Sequence, residues 1–144
     1  MKTIEKSVLI WFSAREMFDL IVDVPTYPQF LPWCDKAEIL TQTDSGMTAR
    51  IGMAFSGLHK SFTTQNTHID GRQVQLELID GPFKHLSGVW DFIPLGQEQA
   101  CRVELKLSYS FDSVFGALVG PVFDKIASTL VDAFVKRAEE VYQR

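Results

Sequence analysis

The chain of 144 residues predicts an α+β fold in which a curved, seven-stranded antiparallel sheet wraps one long C-terminal helix. Three observations carry that expectation. Residues 34–111 keep an apolar period of two, broken by short turn signals. After Ser113 the period changes to three and four residues and holds to the end. Ahead of both lies one alternating segment followed by a short stretch of helical spacing. Strands joined by tight turns must pair antiparallel, because parallel neighbours need long crossovers.

Residues 2–11 place Ile4, Val8 and Ile10 on one side and Glu5 and Ser7 on the other, as a strand does. Ser13 and Glu16 form a capping-box pattern, and Met17, Leu20 and Ile21 follow at helical spacing, so a helix begins there and ends before Pro25. The stretch DVPTYPQFLPWC, residues 23–34, holds three of the six prolines with Tyr27, Phe30 and Trp33 between them. So much proline excludes a regular strand or long helix. Pro28 is expected to open a helix of one to two turns, PQFL, where its missing N–H costs nothing.

Strands are then expected over 34–43, 47–56, 59–69, 73–80, 86–94 and 100–111. Turn signals separate them: TDSG, SGLH, IDGR, DGPF and PLGQ. The last strand is the clearest, with Val103, Leu105, Leu107 and Tyr109 alternating with Arg102, Glu104, Lys106 and Ser108. Beyond Ser113, read as an N-cap, Val119, Val122, Phe123, Ile126, Leu130, Ala133, Phe134 and Val141 make an apolar stripe. Asp124, Lys125, Asp132, Lys136 and Glu140 take the other side, and Gly120-Pro121 either starts this helix or kinks it.

An apolar content of 46% and a charged content of 22% are ordinary for a globular chain, and the length fits one domain over 1–144. A net charge of -4 offers no footprint for DNA, which calls for basic patches. The N-terminal apolar run is too short for a signal peptide, and eighteen apolar residues nowhere run together, so no transmembrane segment and a cytoplasmic location are expected. Cys34 and Cys101 match no metal or redox spacing and read as reduced, buried thiols. His59, His68 and His85 share no ligand spacing and read as ordinary polar histidines near strand ends. Asp80 and Asp91 read as outward residues rather than a catalytic pair.

Strand parity turns Ile51, Met53, Phe55, Leu76, Leu78, Leu86, Trp90, Phe92, Val103, Leu105 and Leu107 inward, together with Gly88. The strand SFTTQNTHI is polar on both parities, through Thr63, Thr64, Gln65 and Asn66. Buried polar groups need partners, which water or a ligand supplies inside a cavity. A solid core with one exposed edge strand fits the same pattern.

Four blocks in order, DVPTYPQFLPWC, SGLHKSFTTQN, LIDGPFKHLSGVWDFIPL and LVGPVFDKIASTLVDAFVKRAEEVY, resemble the bacterial RatA and coenzyme Q-binding START-like family, within the wider polyketide cyclase and lipid-transfer superfamily. The resemblance covers essentially the whole chain. It implies the helix-grip fold, also known from birch-pollen allergens. It implies two roles: non-enzymatic binding of ubiquinone in support of respiration, or a toxin's association with the large ribosomal subunit that blocks subunit joining. Related cyclases and aromatases use the scaffold for catalysis, but their acid–base residues match no motif here, so no enzyme is expected.

A quinone needs an apolar slot, and the aromatic residues supply one. The candidate ligand-binding residues are Tyr27, Phe30, Leu31 and Trp33, then Met53, Phe55, Phe62, Leu76, Phe83, Trp90 and Phe92 on strands, and Val122, Phe123, Ile126, Leu130 and Phe134 on the helix. The expected partner is a quinone or lipid, a ligand rather than a cofactor, with transient membrane contact compatible. Catalytic and metal-binding residues are not expected. A ribosomal partner would need Lys36, Arg50, Lys60, Arg72 and Lys84 to gather on one surface. The proline-rich stretch is expected at the mouth of the pocket.

Overall fold

Alternating apolar and polar residues build the strands, and turns of two to four residues keep consecutive strands side by side. The structure is a computed structural model that describes residues 1–143 except Ser56 and Glu98, and only the backbone of Phe55, Ser113, Val114 and Phe115. The strands are β1 (Lys2–Ile10), β2 (Cys34–Thr43), β3 (Gly46–Phe55), β4 (Leu58–Ile69), β5 (Gln73–Asp80), β6 (Phe83–Leu95) and β7 (Ala100–Phe111). They form one antiparallel sheet in the order β1-β7-β6-β5-β4-β3-β2. The meander closes when β1 pairs with β7, setting Ile4 opposite Leu107 and Val8 opposite Val103. Register shifts at Cys34/Lys36, Ile39/Thr41, Thr63/Thr64 and Phe83/His85 bend the strands and help the sheet curl.

Helix α1 (Ala14–Val22) begins on the capping box: the Glu16 N–H donates to Ser13 Oγ at 3.0 Å, and the Ser13 N–H to Glu16 Oε1 at 2.9 Å. Its buried face, Ala14, Met17, Phe18, Leu20 and Ile21, rests on the sheet. Arg15 clamps the outside with a paired contact to Asp70 at 2.9 and 2.8 Å.

The short helix after α1 is a 3-10 helix over Val24–Gln29, four residues earlier than the expected start at Pro28. With three residues per turn, Pro25 and Pro28 share one face, and both are exposed. Val24, Tyr27 and Phe30 share the opposite, apolar face. β6 also starts three residues earlier than expected, with Phe83 already paired to Phe111, so the turn is confined to Gly81-Pro82.

Helix α2 (Ser113–Tyr142) includes Ser113 as a helical residue, and the Gly116 N–H bonds the Asp112 carbonyl, so Asp112 rather than Ser113 holds the cap position. Pro121 lies inside the helix and does not start it. It is exposed, as is Ala117, whose carbonyl loses its helical donor, so water can replace that bond. The buried stripe is Val119, Phe123, Ile126, Ala127, Val131, Phe134 and Ala138. Val122, at 36% exposed, and Val141 fall outside it. About three turns in, α2 is fixed by Asp124, which accepts from Lys2 Nζ at 2.7 Å and from the Tyr109 hydroxyl at 2.5 Å. At its end the Tyr142 hydroxyl donates to the Glu16 carbonyl at 2.8 Å. Among the described residues, no helix is long and apolar enough to cross a membrane.

Candidate functional site

The α2 backbone comes nearest to β1, β7 and α1, which leaves the concave face of β3–β5 to be reached by side chains. Where those side chains are large the gap closes. Phe83 stacks on Phe111 at 4.6 Å between centroids and meets Phe62 and Phe123 edge-on at 5.5 and 5.1 Å. Where they are small it stays open. Ala49 and Thr64 are cross-strand partners on the sheet, and Ala127 is the small residue facing them from α2. The result is a cavity of about 100 Å³ between sheet and helix.

Ten of the expected ligand-binding residues line it: Tyr27, Leu31, Trp33, Phe62, Leu76, Trp90, Phe123, Ile126, Leu130 and Phe134. Five do not, each for a packing reason. Phe30 lies outside the wall, edge-on to Phe134 at 5.1 Å and under the Arg137 guanidinium. Met53 is 1% exposed and Phe83 sits within the ring cluster, so both are solid core. Phe92 stacks behind Trp90, with Phe18 of α1 against its edge. Val122 points away, one step of the helix off the buried stripe. The Phe55 side chain lies outside the described residues.

The proline-rich stretch forms a wall. Tyr27 presents its ring to the cavity while its hydroxyl donates to the Ile21 carbonyl, and burial pushes that hydroxyl's pKa up. Cys34 and Cys101 are free and buried, and burial pushes each thiol up to about 11, which keeps it protonated and quiet.

Ile21, Val22, Val24, Ala49, Thr64, Asn66, His68, Val74 and Ala127 also line the cavity, and none was among the expected ligand-binding residues. The polarity of β4 was the available signal for Thr64 and Asn66. Thr63 and Thr64 are adjacent yet both buried, at 8% and 4% exposure, beside a register shift whose extra residue, Ile79, lies on β5. His68, read from sequence as an ordinary polar histidine near a strand end, is drawn into the site. It lines the cavity, its ring meets Phe18 edge-on at 5.8 Å, and burial lowers its pKa although Asp70 acts the other way. The other histidines are as expected: His59 Nδ1 is 3.1 Å from Asp35, and His85 Nε2 is 3.0 Å from Ser87 Oγ. Asp91 accepts from Gln73 at 2.8 Å, and Asp80 is exposed.

The basic residues separate. Strand register brings Lys36, Lys60 and Lys84 toward one end of the sheet and leaves Arg72 at the opposite end, beyond β4. Arg50 is engaged by Glu38 at 3.3 Å. Asp35 and Asp80 share the end that holds the three lysines, so its charge is mixed.

The family profile described as polyketide cyclase / dehydrase and lipid transport matches residues 10–135. The chain is 43% identical to the Ribosome association toxin RatA of Vibrio cholerae serotype O1, over 99% of both chains. It is 29% identical to the mitochondrial Coenzyme Q-binding protein COQ10 homolog B of Xenopus laevis, over 96% of this chain and 59% of that one. Neither name describes an enzyme. Among solved structures, the Zhui aromatase/cyclase from Streptomyces superposes with a TM-score of 0.81 at 18% identity, covering 96% of this chain and 93% of that one. At that identity the likeness speaks for the fold alone.

Proposed function

Because this chain belongs to the polyketide cyclase / dehydrase and lipid transport family, we propose that it is a non-enzymatic binder of a hydrophobic molecule of the ubiquinone class. The observation that carries this reading is the cavity between sheet and α2, walled by Tyr27, Trp33, Phe62, Trp90, Phe123 and Phe134. Aromatic walls bury a flat ring at small entropic cost, and each methylene of a tail adds about 0.8 kcal/mol when buried. The Coenzyme Q-binding name of the Xenopus relative supports the ligand class.

At about 100 Å³ the cavity is smaller than the roughly 300–1,000 Å³ typical of sites for drug-sized ligands. Loading therefore requires the wall to give. Trp33, Phe62, Leu76 and Leu130 are among the half-buried residues that line the cavity, so they are side chains placed to swing. Binding is non-covalent, and the ligand leaves by the route it entered.

A second reading is association with the large ribosomal subunit. It is favoured by 43% identity to RatA over nearly the whole chain, and it draws on Lys36, Lys60 and Lys84 at one sheet end. One preparation distinguishes the two. Protein purified from its own cells is extracted with solvent for mass spectrometry, and the lysate is run on a sucrose gradient. Isoprenoid quinone recovered near one per protein supports the first reading. Absence of any lipid, together with co-migration with large subunits, overturns it in favour of the second.

A further inference from the structure

The inner positions of β4 are polar where their neighbours are not. Asn66 lies between Met47 on β3 and Leu76 on β5, and His68 pairs with Val74. The Thr64 hydroxyl donates to Asn66 Oδ1 at 2.7 Å. That bond occupies the amide oxygen and leaves the Asn66 NH2 group as the end with hydrogen bonds to give. His68 Nε2 is buried and has no partner among the described residues. Native proteins rarely leave such an atom unpaired. Lysine and arginine are absent from the described residues that line the cavity. An anionic head group would therefore meet no counter-charge there.

We propose that Asn66 and His68 form a subsite for a neutral, oxygen-bearing ring, with the ligand's apolar remainder lying against α2. This rests on reading the cavity as a ligand site. The chemistry fits a carbonyl, which accepts from the Asn66 amide, or a phenolic hydroxyl, which His68 Nε2 can meet as donor or acceptor according to its tautomer. Quinones and quinols satisfy both forms. Fatty acids and phospholipids, whose polar ends are charged, do not.

The test uses the full chain and three probes with tails of similar length: a decyl-substituted benzoquinone, decylbenzene and decanoic acid. The quinone should bind about tenfold or more tighter than decylbenzene, because only it pairs the buried donors. His68→Leu and Asn66→Leu should each weaken quinone binding about tenfold without weakening decylbenzene, whose binding an apolar replacement can only favour, and His68→Gln should restore part of the quinone loss. Melting curves establish that each variant is folded. Should His68→Leu not fold, the same comparison is read in His68→Gln and Asn66→Leu. Equal binding of quinone and decylbenzene, or folded variants that bind quinone unchanged, would overturn the subsite but leave the hydrophobic-ligand reading standing. Tightest binding of decanoic acid would overturn the neutral head group. Failure of all three probes to bind would overturn the ligand reading and the subsite with it.

Discussion

Two ends of the same concave face are built from the same strands and the same helix, yet one is packed and the other is not. At the packed end Phe62, Phe83, Tyr109, Phe111 and Phe123 interlock, with Tyr109 meeting Phe123 at 4.8 Å between centroids. At the open end Ala49, Thr64, Asn66 and Ala127 line the cavity. Phe123 and Ala127 are one helical turn apart on α2, so backbone geometry does not separate the two regimes. Side-chain volume does. The packed end holds the helix on the sheet and the open end supplies the space.

The largest effect should come from breaking the packed end. Phe123→Ala is expected to cost about 3–5 kcal/mol in chemical denaturation, through lost ring contacts and a new void. One turn on, Ala127→Leu should change stability by less than about 1.5 kcal/mol, because its added carbons enter existing space. The same variant should lose most of its ligand retention. If Ala127→Leu proved as damaging as Phe123→Ala, the two ends would not differ in the way described.

The clasp on α2 should give a smaller effect. Tyr109→Phe removes the hydroxyl bonded to Asp124 and is expected to cost about 1 kcal/mol. Burial alone would raise the Asp124 carboxyl, but hydrogen bonds from Lys2 and Tyr109 outweigh it and hold the pKa below its ordinary value. Asp124 therefore contributes its stability above about pH 4 and loses it as pH falls through the lower folded value. Asp124→Asn should flatten that part of the acid-unfolding curve. The smallest effect belongs to the outside of the wall. Arg137 donates to Gln29 at 2.8 Å and covers the Phe30 ring, and Arg137→Ala should cost about 0.5 kcal/mol without altering ligand retention.

The sheet and α1 were legible because their signals are local and repeated. Alternation along β7 leaves one face to bury, and Ser13 with Glu16 fixes the first residue of α1. The rotation of α2 was harder to read. Val122 and Ala127 differ by half a turn, and hydrophobicity favours the valine although the alanine faces the sheet. A small residue becomes informative only beside the gap it leaves. The 3-10 helix was misplaced because Pro28 is a good helix opener, whereas the three-residue spacing of Val24, Tyr27 and Phe30 needed the sheet to choose it. Nothing in the sequence set His68 apart from His59 and His85. Its position becomes clear only where α1 sets Phe18 against it.

Trp33 and Trp90 line the cavity, while Trp11 stands 83% exposed just ahead of α1 and does not line it. Tryptophan fluorescence in a Trp11→Phe background therefore reports on the cavity directly. Titration with the decyl-substituted benzoquinone should quench it saturably near one ligand per protein, and Ala127→Leu should abolish the saturable component. Quenching that never saturates, or that is unchanged when Ala127→Leu fills the space, would contradict a ligand site between the sheet and α2.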